Sequence, residues 1–124
     1  MSTSLLGERS GSETWRSRRV LAVVDVVESV RLMQAHEDDV IARWRGFVNE
    51  VRTEVLPETS GRMVKSLGAG MLLEFEYAPR ALASAFEIQR RVTQWNRGFD
   101  EDRCIQLRVG LHVAEVVADE LDVY

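Results

Sequence analysis

The order of apolar and polar positions divides the chain into a short list of elements. The compact β-branched run "RVLAVVDVV" at Arg19–Val27 predicts a buried strand. A helical stretch follows from about Ser29 to Val55. Its apolar stripe is Val40, Trp44, Phe47, Val51 and Val55, spaced by fours and threes. "HEDD" at His36–Asp39 interrupts that stripe and predicts a break into two helices. "LPETSGR" (Leu56–Arg62) carries turn chemistry, with Pro and Gly around Thr and Ser. "RMVKSLGAGMLLEFE" reads as a hairpin turning at Gly68-Ala69-Gly70, whose glycines are expected to supply backbone freedom. The second long helix is "APRALASAFEIQRRVTQWN", with Pro79 in its first turn and a stripe of Ala81, Ala85, Ile88, Val92 and Trp95. After the loop "RGFDEDR", the stretch "IQLRVGLHVAEVV" alternates. Ile105, Leu107, Val109, Leu111 and Val113 point one way, and Gln106, Arg108 and His112 the other. The final "ADELDVY" reads as a turn and the start of a short strand.

Strand, helix, strand, strand, helix, strand is the split βαβ order. It predicts a ferredoxin-like α+β sandwich: an antiparallel-containing four-stranded sheet with both helices on one face. A right-handed crossover makes the first and second strands parallel, with the third between them. The end of the first strand and the tip of the hairpin then share one edge, which makes Asp25 and Ala69 neighbours.

With 124 residues the chain is one domain, and a net charge of −4 argues against a nucleic-acid partner, which needs a basic face. "WRSRR" at Trp15–Arg19 is read as a solvated lead-in to the first strand. Residues 1–18, rich in Ser, Gly and Glu, are expected to be a disordered tail, and residues 19–124 the folded domain. Cys104 is the only cysteine, so no intrachain disulfide can form, and it reads as a buried thiol. No apolar run reaches membrane-spanning length and the N-terminus lacks a signal-peptide pattern, so no membrane partner and a cytoplasmic location are expected.

Four stretches in matching order, "AVVDVVESVRLM", "GRMVKSLGAGMLLEF", "ALASAFEIQRRVTQWN" and "IQLRVGLHVAEVV", resemble class III nucleotide cyclase catalytic domains from about Arg19 to Tyr124. The resemblance implies a site with two aspartates holding two divalent cations, which clamp a triphosphate and activate the ribose 3′-hydroxyl. Two-metal displacement needs charge neutralised on both the attacking and leaving oxygens. Asp25 matches the first metal aspartate, but Ala69 stands where the second belongs. Glu28 replaces a family glycine, and Val30 a common Ser or Thr, in the loop whose helix amides cradle the triphosphate. Glu28 either repels a second anion there or simply favours the helix start. Ser29, Glu28 and Lys65 are the remnants of nucleotide binding that the resemblance assigns. A lysine at the place of Lys65 contacts the base in adenine-selective members; the bland alternative is an exposed strand lysine. His112 fits a position often occupied by His or Asn and is read as structural. Ala114 replaces a usual glycine.

The sequence ends at "DVY", ahead of a family segment that supplies an asparagine and an arginine for the transition state, so the domain reads as truncated. These departures imply a catalytically inactive cyclase-homology domain that dimerises or regulates, with no catalytic residue of its own and no cofactor. One alternative is a working cyclase subunit or fragment that makes cyclic AMP with a partner chain. It would use Mg²⁺ or Mn²⁺, and Glu28 or Glu115 would replace the missing carboxylate. Another is a ferredoxin-like module binding an unrelated small molecule. Val20, Ala22, Val24 and Val26 alternate with Leu21, Val23 and Val27, so the first strand is apolar on both sides. Helices cover only one of them, and the expected partner on the open face is a second copy, or a related cyclase chain.

Overall fold

The computed structural model describes residues 15–118. Of the tail expected at residues 1–18, residues 1–14 lie outside the described residues, as does the closing turn at residues 119–124; residues 15–18 are strand. The first strand, β1 (Trp15–Val26), starts at Trp15 rather than Arg19. The reason is β4 (Leu107–Ala118): it is equally long and pairs with β1 from Trp15↔Ala118 to Val26↔Leu107. Pairing supplies what the polar sequence "WRSR" does not advertise.

Helix α1 (Ser29–Glu50) is one run with a kink at His36, where φ is −143° and ψ 47°. The break predicted at "HEDD" is therefore a single non-helical residue. Past Glu50 the helix widens into a π-turn at Val51–Val55, then resumes as the short α2 (Leu56–Thr59). This revises the turn read at "LPETSGR". Pro57 has no N–H to donate, and the backbone ahead of it adopts the looser register in place of stopping. Ser60, left-handed at φ 56°, ends the helix.

The hairpin is β2 (Arg62–Leu67) and β3 (Gly70–Phe75). Helix α3 (Ala78–Trp95) follows, with Pro79 in its first turn as expected, and a 3₁₀ turn at Glu101–Arg103 leads into β4. The sheet order is β2-β3-β1-β4 with antiparallel neighbours, so β1 and β2 run parallel with β3 between them. This is the ferredoxin-like α+β sandwich that the element order predicts.

Period-two alternation decides what is buried. Val20, Ala22, Val24 and Val26 of β1 are buried against the helices, beside Met71, Leu73 and Phe75 of β3. All five stripe residues of the first helical stretch, Val40 to Val55, are buried. On α3, Ala81, Ile88 and Val92 are buried, together with Ser84, whose hydroxyl has no partner among the described residues. The two long helices are pinned by a polar hub. Arg91 reaches Glu87, Glu50 and Glu54 at 2.6, 3.0 and 2.8 Å, while the indole N–H of Trp95 donates to Glu50 at 2.9 Å. The two guanidinium groups of Arg90 and Arg91 hold the Glu87 carboxyl down at about 2.

Candidate functional site

The turn between β2 and β3 places Ala69 against the end of β1. Asp25 is paired with Gly70, and the Val26 N–H donates to the Ala69 carbonyl at 3.0 Å. The juxtaposition expected from topology is therefore present. Its glycines act differently from expectation. Gly98 carries a positive φ, but Gly68 and Gly70 do not, so the turn makes no use of left-handed backbone there. A Cβ on Gly70 would lie 2.9 Å from the Val24 carbonyl oxygen, so close approach of β3 to β1 is what requires glycine at that position.

Asp25 lies on the open face of the sheet. Directly across from it on β4 is Arg108, whose Nε stands 3.4 Å from the Asp25 carboxylate. Both side chains are more than half exposed. Strand alternation put Arg108 on this face but did not couple it to Asp25. The β1–β4 register, which the sequence pattern alone leaves free, was the missing signal. On the other side of Asp25 is a shallow groove of about 450 Å³ lined by Val23, Asp25, Lys65, Leu67, Ala69 and Leu72. Lys65 is exposed and has no hydrogen bond or ion pair among the described residues. Asp25, Ala69 and Lys65 thus share one groove.

Glu28 sits in the left-handed region at φ 52°, ψ 44°, immediately before α1. Glycine takes that conformation freely, whereas an L-residue there is strained by about 1–2 kcal/mol. Its side chain does not cap the helix; it pairs with Arg31 at 2.9 Å, both side chains being more than half exposed. Ser29 opens α1, and Val30 is exposed. Glu115 lies elsewhere. It pairs with Arg18, seven positions along the ladder from the Asp25–Arg108 pair. At about 3.3 Å per residue that is roughly 23 Å, so Glu115 cannot stand in for a carboxylate beside Asp25. His112 is exposed on the open face opposite Leu21 and has no hydrogen-bond or ion-pair partner among the described residues. Cys104 is half-buried, its thiol 3.7 Å from the Phe99 carbonyl.

A βαββαβ sandwich that sets an aspartate at the end of its first strand against the tip of its hairpin is the frame of a cyclase-homology domain. No family model matches the chain. It is 33% identical over 113 residues to "Putative adenylate cyclase 3" of Rhizobium meliloti (strain 1021), covering 86% of this chain and 19% of that protein. Among solved structures, an adenylate/guanylate cyclase/hydrolase from Silicibacter pomeroyi superposes with a TM-score of 0.75 at 29% identity, over 90% of this chain and 64% of the other. The guanylyl cyclase Cya2 superposes at 0.71 with 18% identity, a likeness of fold, over 90% and 63%. Fold and likenesses together are those of the class III nucleotide cyclase catalytic domain. The chain spans about a fifth of its curated relative and just under two thirds of these solved chains. Among the described residues no helix is long and apolar enough to cross a membrane.

Proposed function

We propose that this domain is catalytically silent alone and serves as a dimerising or regulatory module in cyclic-nucleotide signalling. One observation carries the reading: the hairpin tip offers a methyl group at Ala69, and the remaining carboxylate, Asp25, faces the guanidinium of Arg108. Hard divalent cations require oxygen ligands, and a two-cation site draws on more than one carboxylate. The residues present do not fit a metal pair. A cation at Asp25 would meet the positive Arg108, and the Ala69 carbonyl already accepts from Val26. The strained, charged Glu28 in the triphosphate loop favours the same reading. So does Val23, 43% exposed on the open face, where a second copy is the partner we favour. A cytoplasmic location goes with this role, since nucleoside triphosphates are found there.

The test is turnover. The purified chain with ATP or GTP and Mn²⁺ should form no cyclic nucleotide above a protein-free blank. Turnover that Asp25→Ala abolishes would overturn the proposal. A second reading rests on Asp25 and Lys65 sharing one groove. In it the chain contributes half of a composite site to a related cyclase chain that supplies the carboxylate pair. Mixing with such a chain would then raise adenylate cyclase activity, and Lys65→Ala would remove the gain.

A further inference from the structure

The two edges of the sheet are built differently. Edge strand β2 is short, carries Arg62 and Lys65, and is broken by a bulge between Met63 and Lys65. Such devices blunt an edge against pairing with another chain. Edge strand β4 is twice as long and unbroken. It runs twelve residues without bulge, Pro or Lys, and Arg108 and Glu115 are its only charges. Its outward hydrogen-bonding positions follow from the ladder. The Val27 N–H donates to the Gln106 carbonyl, so even-numbered β4 residues bond inward to β1. Val109, Leu111 and Val113 therefore turn their N–H and C=O groups away from β1, toward an edge that no other strand pairs with among the described residues.

The same edge has an apolar flank. Gln89 of α3 donates to the Leu107 carbonyl and Asn96 to that of Ile105, so α3 runs antiparallel to β4. Leu82 and Phe86 lie on the side of α3 that Gln89 shares, opposite the Arg91 side that meets α1. Counting back from Gln89 at about 1.5 Å per helical residue and about 3.3 Å per strand residue, Leu82 comes roughly level with Leu111, Phe86 lies one turn nearer Leu107, and Val113 lies beyond Leu82. Leu82, Phe86, Leu111 and Val113 are 49%, 69%, 36% and 61% exposed. Together they leave roughly 400 Å² of apolar side chain bare, within the roughly 300–600 Å² of a typical monomer's largest patch, which is often functional.

We propose that the β4 edge docks a second copy of this chain, joining two sheets by an antiparallel β4–β4 ladder. The partner is a second copy because the edge complements itself. A two-fold axis perpendicular to the sheet keeps the helices of both copies on one side and pairs odd-numbered β4 residues with odd-numbered ones. Odd-numbered residues are also those whose backbone groups turn outward, so two requirements select one parity. Centred on Leu111, the ladder sets Leu111 against itself and Val109 against Val113, with Leu82 of each copy beside the seam. Apolar side chains from two copies supply about 800 Å², and the backbone edge brings the contact toward the ~1,200 Å² where specific interfaces begin. This surface is distinct from the open face, so both can be occupied at once.

Sedimentation over a dilution series to about 100 μM tests this. The wild-type chain should self-associate. Val23→Glu should leave a dimer, and only Val23→Glu with Val113→Glu should be monomeric. Val113→Pro, which deletes an outward donor and no bond to β1, should weaken association at least tenfold, with far-UV circular dichroism unchanged. In a Cys104→Ser background, Leu111→Cys should form an intermolecular disulfide, because facing residues of a hydrogen-bonded pair lie about 5.5 Å apart at Cα. A monomeric wild type, a monomer produced by Val23→Glu alone, or indifference to Val113→Glu would each overturn the proposal.

Discussion

Ala69→Asp should create a weak divalent-cation site and no cyclase. The substitution puts a carboxylate on the turn residue next to Gly70, the residue paired with Asp25, so two acidic groups then face one groove. What opposes the cation is Arg108, 3.4 Å from Asp25. Two unit charges at that distance interact by about 1 kcal/mol in a water-like medium. With side chains 68% and 51% exposed, screening reduces this to about 0.5–1 kcal/mol. Removing the arginine should therefore strengthen cation binding by a factor of about two to five. Titration of free Mn²⁺ followed by its electron paramagnetic resonance signal measures this directly. The wild type should not deplete the free signal at about 1 mM metal, Ala69→Asp should, and Ala69→Asp with Arg108→Ala should bind two- to fivefold more tightly. Turnover should remain at the blank in all three, because Glu28 still confronts the triphosphate. Indifference of Mn²⁺ affinity to Arg108→Ala would refute the electrostatic reasoning. Clear turnover by Ala69→Asp alone would show that the missing carboxylate is the sole lesion.

Two further outcomes concern the scaffold. Glu87 has its folded pKa lowered to about 2 from 4.5, chiefly by hydrogen bonds from Arg90 and Arg91, so its contribution is present above the unfolded value and is lost as pH falls from 4.5 through 2. Urea denaturation of Glu87→Gln should show a deficit of about 1 kcal/mol at pH 7, after discounting for partial exposure, that closes towards pH 2; a deficit constant with pH would contradict the hub. Arg43 is buried, stacks on the Phe99 ring at 3.9 Å, pairs with Asp39 at 3.0 Å and donates to the Arg103 carbonyl. Arg43→Lys keeps the charge but loses the planar fork, and should destabilise by about 2 kcal/mol in the same assay; a loss under 0.5 kcal/mol would mean the loop after α3 does not depend on it.

The architecture was legible because period does most of its specification. Val20 to Val26 could be assigned to the covered face from alternation alone, and the Val40–Val55 stripe from steps of three and four. Topology then brought Asp25 to the hairpin tip without any contact being known. What escaped the sequence depends on partners distant along the chain. The extra residues of β1 exist only because β4 pairs with them. Arg108 meets Asp25 through a ladder register that no local pattern encodes. The duty of Gly70 is set by the Val24 carbonyl across the strand. Arg43 looks like any polar helix position until Phe99, fifty-six residues on, lies under its guanidinium. The left-handed backbone of Glu28 was hidden for the opposite reason: the residue type argues against the conformation it adopts.

The π-turn at Val51–Val55 has a consequence for chain length. The bond from the Leu56 N–H to the Val51 carbonyl spans one residue more than an α-turn, so this part of the helix holds a surplus residue. Deleting one of Arg52, Thr53 or Glu54 would let the segment close into a regular α-turn. The same deletion between Val40 and Phe47 would rotate every following stripe residue by about 100° away from the sheet. The domain thus carries slack at one known place, where a loss of length can be absorbed without re-registering the core.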